Sequence, residues 1–172
     1  MVAYHDKEWG VPLHNDRRLF EYLVLDANQA GLSWRTILHK RENFRKALHG
    51  FNPIHIAKYT AKDRVRLMHD AGIIRNRQKI NASIENAKQF LKIQKEFGSF
   101  DKFIWQFVGH KPIVHRYKID SDIGTRSKES DAMSLELRQR GFKFVGSTIC
   151  YAFMQGAGMV NDHVVGCWRY RQ

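Results

Sequence analysis

Residues 69–80 read HDAGIIRNRQKI, a basic stretch with a glycine near its start. A polar segment, TAKDRVRLMH, precedes it, and an apolar repeat at helical spacing follows it. The stretch therefore reads as a tight turn around Gly72 that joins two helices. Such a turn can point several backbone N–H groups outward together, and the start of the second helix is already an anion site. Arg75, Arg77 and Lys79 surround it. The composition suits a helix–hairpin–helix clamp on a nucleic-acid phosphate, a contact that positions without reading sequence. An ordinary antiparallel helix pair with solvated cations fits these residues equally well.

Working outward, helical patterns continue nearly throughout. Thr60 with Asp63 has the spacing of a capping box, opening a helix whose Val65 and Met68 face inward. Ile80, Ile84, Ala87 and Leu91 predict a long helix from about Arg77 to Phe97. Asn15 or Asp16 can cap a helix reaching about Gln29, and a further one runs from Ser33 to about Leu48, stopped by Gly50 and the FNP turn. Phe100, Phe103, Ile104 and Phe107 make another amphipathic turn or two, and residues 109–129 read as loop. Helices resume at SDAMSLELRQRG and at STICYAFMQGAG. No alternating run is long enough for a substantial strand, so the expected class is all-α.

The bulk numbers agree with one such domain. The chain has 172 residues, 43% of them hydrophobic, with only three prolines and no low-complexity tract. Lys and Arg number 29 against 17 acidic residues, a net charge of +12. That excess favours polyanionic partners, because each phosphate neutralised releases counterions. No apolar run spans a membrane and no signal segment is evident. Two cysteines, Cys150 and Cys167, are too few for a disulfide framework. A cytoplasmic, reduced protein is expected.

Two further places can carry chemistry. In LFEYLVLDANQAGLSW, residues 19–34, Leu19, Phe20, Leu23, Val24 and Ala27 form an apolar stripe with Asp26 at its edge. A carboxylate there is costly unless something pairs with it. Trp34 follows just after Gly31, and Tyr4 and Trp9 are further candidate aromatics. Trp34 is by default a core anchor. An indole near a half-buried acid in a basic protein also suits a pocket for a cationic or flipped base. At the other end of the sequence, His163 and Cys167 in NDHVVGCW are four apart, so on a helix they share a face and can reach one metal, with His5 as a distant third candidate.

The stretches YHDKEWGVP (4–12), QAGLSWRTILHKRENFR (29–45), DAGIIRNRQKI (70–80) and RGFKFVGSTICYAFMQGAGMVNDHVVGC (140–167) closely resemble the bacterial type I 3-methyladenine DNA glycosylases. This family belongs to the helix–hairpin–helix glycosylase superfamily. The resemblance implies a single all-α glycosylase domain over 1–172, two helical lobes around a base pocket, with the helix–hairpin–helix near 61–97. It implies an enzyme that excises 3-methyladenine from alkylated double-stranded DNA, leaving an abasic site and free 3-methyladenine. By matched position, Tyr4, Trp9, Trp34 and Asp26 would bind the base, with Asp26 and Trp34 central to catalysis. Gly31 and Leu32 would fill the gap left in the duplex. Gly72, Ile73, Ile74, Arg75, Arg77 and Lys79 would hold the backbone, and His5, His163 and Cys167 would be ligands of a structural zinc.

Two departures stand out. The family pattern has glutamate where this chain has Asp26, which withdraws the carboxylate by one methylene, ~1.5 Å. The family's fourth zinc ligand, an N-terminal cysteine, has no match in this sequence, nor has the indole beside it. A protein that binds alkylated DNA without excising the base is the alternative reading, supported by these two departures. A metal-dependent nuclease using His5, His163 and Cys167 lacks the carboxylate cluster such chemistry needs. Acting on one nucleotide needs no two-fold symmetry, so a monomer is expected.

Overall fold

The computed structural model describes residues 1–171. Nine α-helices run through them: α1 (Val2–Lys7), α2 (Asp16–Gln29), α3 (Trp34–Ala47), α4 (Pro53–Ile56), α5 (Ala61–His69), α6 (Arg77–Phe97), α7 (Phe100–Trp105), α8 (Lys128–Gln139) and α9 (Ser147–Gly156). The all-α expectation holds. No helix of the described residues is long and apolar enough to cross a membrane.

Helix α2 is the axis of the molecule, packed against α3, α6, α7 and α9. The predicted single stripe understates it, because every residue from Leu19 to Asn28 is buried. A helix buried all round belongs at the centre rather than on a surface. Its ends are fixed by polar side chains. Asn15 caps α2 by accepting from the Arg18 N–H at 3.1 Å. Asp16 reaches across and accepts from the backbone N–H groups of Phe100 and Asp101 at 2.9 and 2.8 Å, so it caps α7. Behind α2 the rings of Phe20, Phe90 and Phe100 close the core, with Phe90 stacked on Phe100 at 4.2 Å between centroids.

Helices α5 and α6 flank the predicted turn. The capping box is present, with the Thr60 N–H donating to Asp63 at 2.9 Å. The face of α5 differs from expectation: Val65 is 58% exposed and Leu67 takes the core position. In α6, Ile80, Ile84 and Ala87 are buried with Phe90 and Ile93, and Gly98, in the left-handed region at φ +85°, ends the helix.

The short helices α1 and α4 and a pair of strands were missed. Residues 113–114 (β1) and 160–161 (β2) pair in parallel, Ile113 opposite Val160 and Val114 opposite Asn161. Two-residue strands carry no alternation to detect. Their pairing fastens the long 109–127 segment to the backbone just before Asp162 and His163.

Candidate functional site

Helix α1 and the turn after it bring Tyr4 and Trp9 to a cavity shared with Trp34, the first residue of α3. The Tyr4 and Trp34 rings lie 5.5 Å apart, tilted by 56°. They wall a cavity of about 360 Å³, with Ile123, Asp162 and His163 among the other lining residues. Trp34 is positioned by the cap of its own helix, where Ser33 Oγ accepts from the Thr36 N–H at 3.2 Å. Its indole N–H is shielded from solvent and has no partner.

Asp26 is 2% exposed and its Oδ2 also lacks a partner. Burial raises its carboxyl pKa well above the ordinary range, so the group favours its neutral form. Asp26 is not on the cavity wall. It lies close enough to Tyr4 to act on that phenol, whose pKa is raised by burial first, then by Tyr22, Asp26 and Glu8. Tyr4 is therefore a neutral hydroxyl.

Behind Tyr4 sits a charge network that the sequence reading missed. Glu8 accepts from Arg41 Nη1 at 2.8 and 2.9 Å and from the Tyr22 hydroxyl at 2.9 Å. Glu21 accepts from Arg41 Nε at 2.5 Å and Arg45 Nη2 at 2.7 Å. Arg41 falls in the apolar row Ile37–Arg41–Phe44 of α3. A cation in such a row is a signal that a buried acid waits opposite. Asp162, accepting from His115, Tyr151 and Gln155 at 2.6 to 2.8 Å, was also missed. Only its place beside His163 hinted at it.

Two exposed tips flank the pocket side of α2 and α6. Gly31, at φ +76°, turns the chain so that Leu32 stands 41% exposed. The second tip is the 70–76 turn. A Cβ on Gly72 would sit 2.9 Å from Asp70 Oδ1 and 3.0 Å from Asn43 Cβ, so a side chain there would push both neighbours aside. Arg75 and Arg77 are exposed, Ile74 is half-buried and Ile73 is buried. Asn76 caps α6 through the Lys79 N–H at 3.1 Å.

Lys79 departs from its expected place among the phosphate-facing cations. It is 7% exposed, and its ammonium donates to the carbonyls of Asn28 and Ala30 at 2.8 and 2.6 Å. The turn instead recruits Lys40 from α3, which donates to the Ala71 and Gly72 carbonyls at 2.9 and 3.3 Å.

His163 and Cys167 also need correction: they do not share a helix face, because residues 162–167 form no helix. The irregular segment nonetheless brings them to His5, with one ligand atom of each within 4.8 Å of the others. Cys167 Sγ lies 3.6 Å from His5 Nε2. The His5 Nδ1 pairs with Asp6 and the His163 Nδ1 with Asn161, both at 2.8 Å. His163 Nε2 is buried with no partner. Burial lowers the His163 pKa to about 4, which keeps the imidazole neutral. Two imidazoles anchored through Nδ1 beside a thiol supply three of the four donors that a tetrahedral, thiophilic ion such as zinc takes.

Residues 1–170 match the family model described as methyladenine glycosylase. The chain is 52% identical over 169 residues to DNA-3-methyladenine glycosylase 1 of Escherichia coli (strain K12), covering 98% of this chain and 90% of that one. It is 48% identical over 166 residues to DNA-3-methyladenine glycosylase of Haemophilus influenzae (strain ATCC 51907 / DSM 11121 / KW20 / Rd), covering 96% and 90%. The solved structure of a 3-methyladenine DNA glycosylase I variant in complex with 3-methyladenine superposes with a TM-score of 0.97 at 37% identity, over 99% of this chain and 92% of that one. The chain belongs to the methyladenine glycosylase family.

Proposed function

We propose that this protein is a DNA repair glycosylase that extrudes 3-methyladenine from alkylated duplex DNA and hydrolyses its bond to deoxyribose. The observation that carries the reading is the cavity walled by Tyr4, Trp9 and Trp34, with the unpartnered Trp34 N–H and Asp26 Oδ2 at or behind it. Aromatic faces beside unpartnered polar atoms suit a flat, cationic, hydrogen-bonding ring.

The chemistry asks little of a general acid. 3-Methyladenine joined through N9 carries a positive charge, so the C1′–N9 bond is already weak. When that bond breaks, its electrons neutralise the purine, which leaves without taking a proton. A water adds to C1′ of the oxocarbenium-like sugar and gives its proton to solvent. Catalysis rests on extrusion, orientation and electrostatics. The face of Trp34 favours the cationic base over neutral adenine, an attraction of about 2 kcal/mol when desolvated. Asp26, held neutral by burial and coupled to Tyr4, acts through that phenol to help reject unmodified purines. Among the described residues no lysine lines the cavity, which supports a monofunctional enzyme that stops at the abasic site.

The tips divide the DNA contacts. Gly31 and Leu32 fill the space the base vacates. The 72–75 turn, with the first N–H groups of α6, Arg75 and Arg77, holds the backbone. His5, His163 and Cys167 would hold a structural zinc, whose part is to fasten α1, and Tyr4 with it, to the 162–167 segment. The protein works as a monomer in the cytoplasm, on one nucleotide at a time.

The test is release of free 3-methyladenine from methylated duplex DNA. The wild-type chain should excise, Trp34→Ala should not, and Asp26→Asn should be substantially slower. DNA affinity without base release would instead favour a damage-binding protein.

A further inference from the structure

Lys79 sits where two effects oppose a cation. It is buried, and it lies in the first turn of α6, where the helix dipole favours negative charge. Its ammonium is held nonetheless by the carbonyls of Asn28 and Ala30, 51 and 49 positions away. Those carbonyls are the last of α2, which ends at Gln29 with Ala30 as its cap. They would otherwise be unpaired at a helix end. The same two residues lead directly into the Gly31–Leu32 tip and then Trp34.

The opposite end of Lys79 is equally placed. Its backbone N–H is bound by Asn76, the last residue of the 70–76 turn, and its carbonyl accepts from Ser83 Oγ at 3.0 Å. One residue thus touches the end of the helix that feeds the inserting tip and the start of the helix that follows the gripping turn. Lys40 runs the other way, from α3 behind Trp34 to the Ala71 and Gly72 carbonyls. The two lysines brace the tips against each other in both directions.

We propose that Lys79 is a positioning residue that couples the hold of the 72–75 turn on the DNA backbone to insertion of the Gly31–Leu32 tip. The inference rests on the glycosylase reading given above. A grip on the phosphates fixes α6. Through Lys79, α6 fixes the exit of α2, and that exit fixes the height at which Leu32 meets the base stack. Without the ammonium, the turn still grips and the pocket still accepts a base, but the two no longer act at a set distance.

The experiment compares wild type, Lys79→Met and Lys79→Gln. Excision is followed under single-turnover conditions on alkylated duplex DNA. Extrusion is followed by the fluorescence of 2-aminopurine placed at the site of flipping. Lys79→Met should lose about tenfold or more in both, while its affinity for free 3-methyladenine stays within about twofold of wild type. Its slope of log affinity against log salt on duplex DNA should not change, whereas Arg75→Ala should lower that slope by about one. Lys79→Gln, which keeps an uncharged N–H donor on a side chain one atom shorter, should fall between the two and keeps the test valid should Lys79→Met fail to fold. A slope lowered by about one in Lys79→Met would make it a phosphate contact and overturn the proposal. Unchanged excision and extrusion in either variant would overturn it too. A purely structural role would lower the melting temperature and weaken free-base binding without this split. If the wild-type chain extrudes but releases no base, the glycosylase reading fails alone and the fluorescence comparison still decides on Lys79. No extrusion by wild type overturns both.

Discussion

Gly156, the last residue of α9, joins packing to function in a way one methyl group can test. A Cβ there would lie 2.9 Å from Cδ1 and Cε1 of Tyr22 and 3.3 Å from the Tyr4 hydroxyl. Ordinary contacts begin near 3.4 Å, so the Tyr22 ring must retreat by about half an ångström. It is poorly placed to do so, because its hydroxyl donates to Glu8 at 2.9 Å and Arg41 lies over its ring, 5.4 Å from the centroid. Overpacking of this kind costs about 1–3 kcal/mol. Alanine at a helical position offsets up to about 1 kcal/mol of that. Gly156→Ala should therefore lose about 1 kcal/mol, a fall in melting temperature of about 2–4 °C for a chain of this size. The same methyl presses on the Tyr4 hydroxyl, 3.3 Å away, and Tyr4 lines the cavity, so excision should fall about tenfold. Thermal melting and single-turnover release of 3-methyladenine read the two effects. Gly166→Ala, with nothing within 4 Å of the added carbon, is the control. On a Tyr22→Leu background the cost should shrink, because the clashing ring is gone. A variant that melts at or above the wild-type temperature with unchanged excision would refute the reasoning.

Burial raises the pKa of Asp26 in the folded chain, so the folded state holds its proton more tightly than the unfolded one. The stability this gives is complete below the ordinary carboxylate range and is lost as pH rises toward the folded value. Without DNA, the melting temperature of Asp26→Asn relative to wild type should rise from pH 4 to pH 8; a constant difference would contradict the assignment. Trp34→Phe should keep part of the excision that Trp34→Ala abolishes, since a smaller π-face still attracts the cation; equal loss in both would assign the role to the indole N–H. The wild-type chain should contain one zinc, and a chelator should lower its melting temperature with loss of base release; a metal-free chain that excises normally would remove zinc from the reading.

Much of this was legible because helical periodicity and caps are local signals. The α6 limits, the Thr60–Asp63 box and the stop at Gly98 follow from neighbours in sequence. The candidate pocket aromatics, too, announced themselves by type and motif. What was not legible is what side chains do across space. Lys79 reads as a surface cation until the α2 carbonyls opposite it are known. Arg41 stands out in its apolar row, but its partners Glu8 and Glu21 are identified only after α2 and α3 are packed against the turn that follows α1. Val65 looked inward by spacing, yet the core chose Leu67. His163 and Cys167 were assigned to one place through a helix that does not exist. They meet because the β1–β2 pairing and the turn after it bend the backbone there.

That meeting has a consequence for synthesis. Cys167 reaches His5 across 162 positions, and the cavity takes Tyr4 and Trp9 from one side of that span and Asp162 and His163 from the other. Contacts of such sequence separation form last, after loop closure has been achieved by everything between them. A chain emerging from the ribosome can therefore present its basic turn while it has no receptor for a base. It would bind DNA before it could cut. Residues from Asp162 onward complete the receptor, so ribosome-stalled chains ending before Asp162 should bind duplex DNA and release nothing.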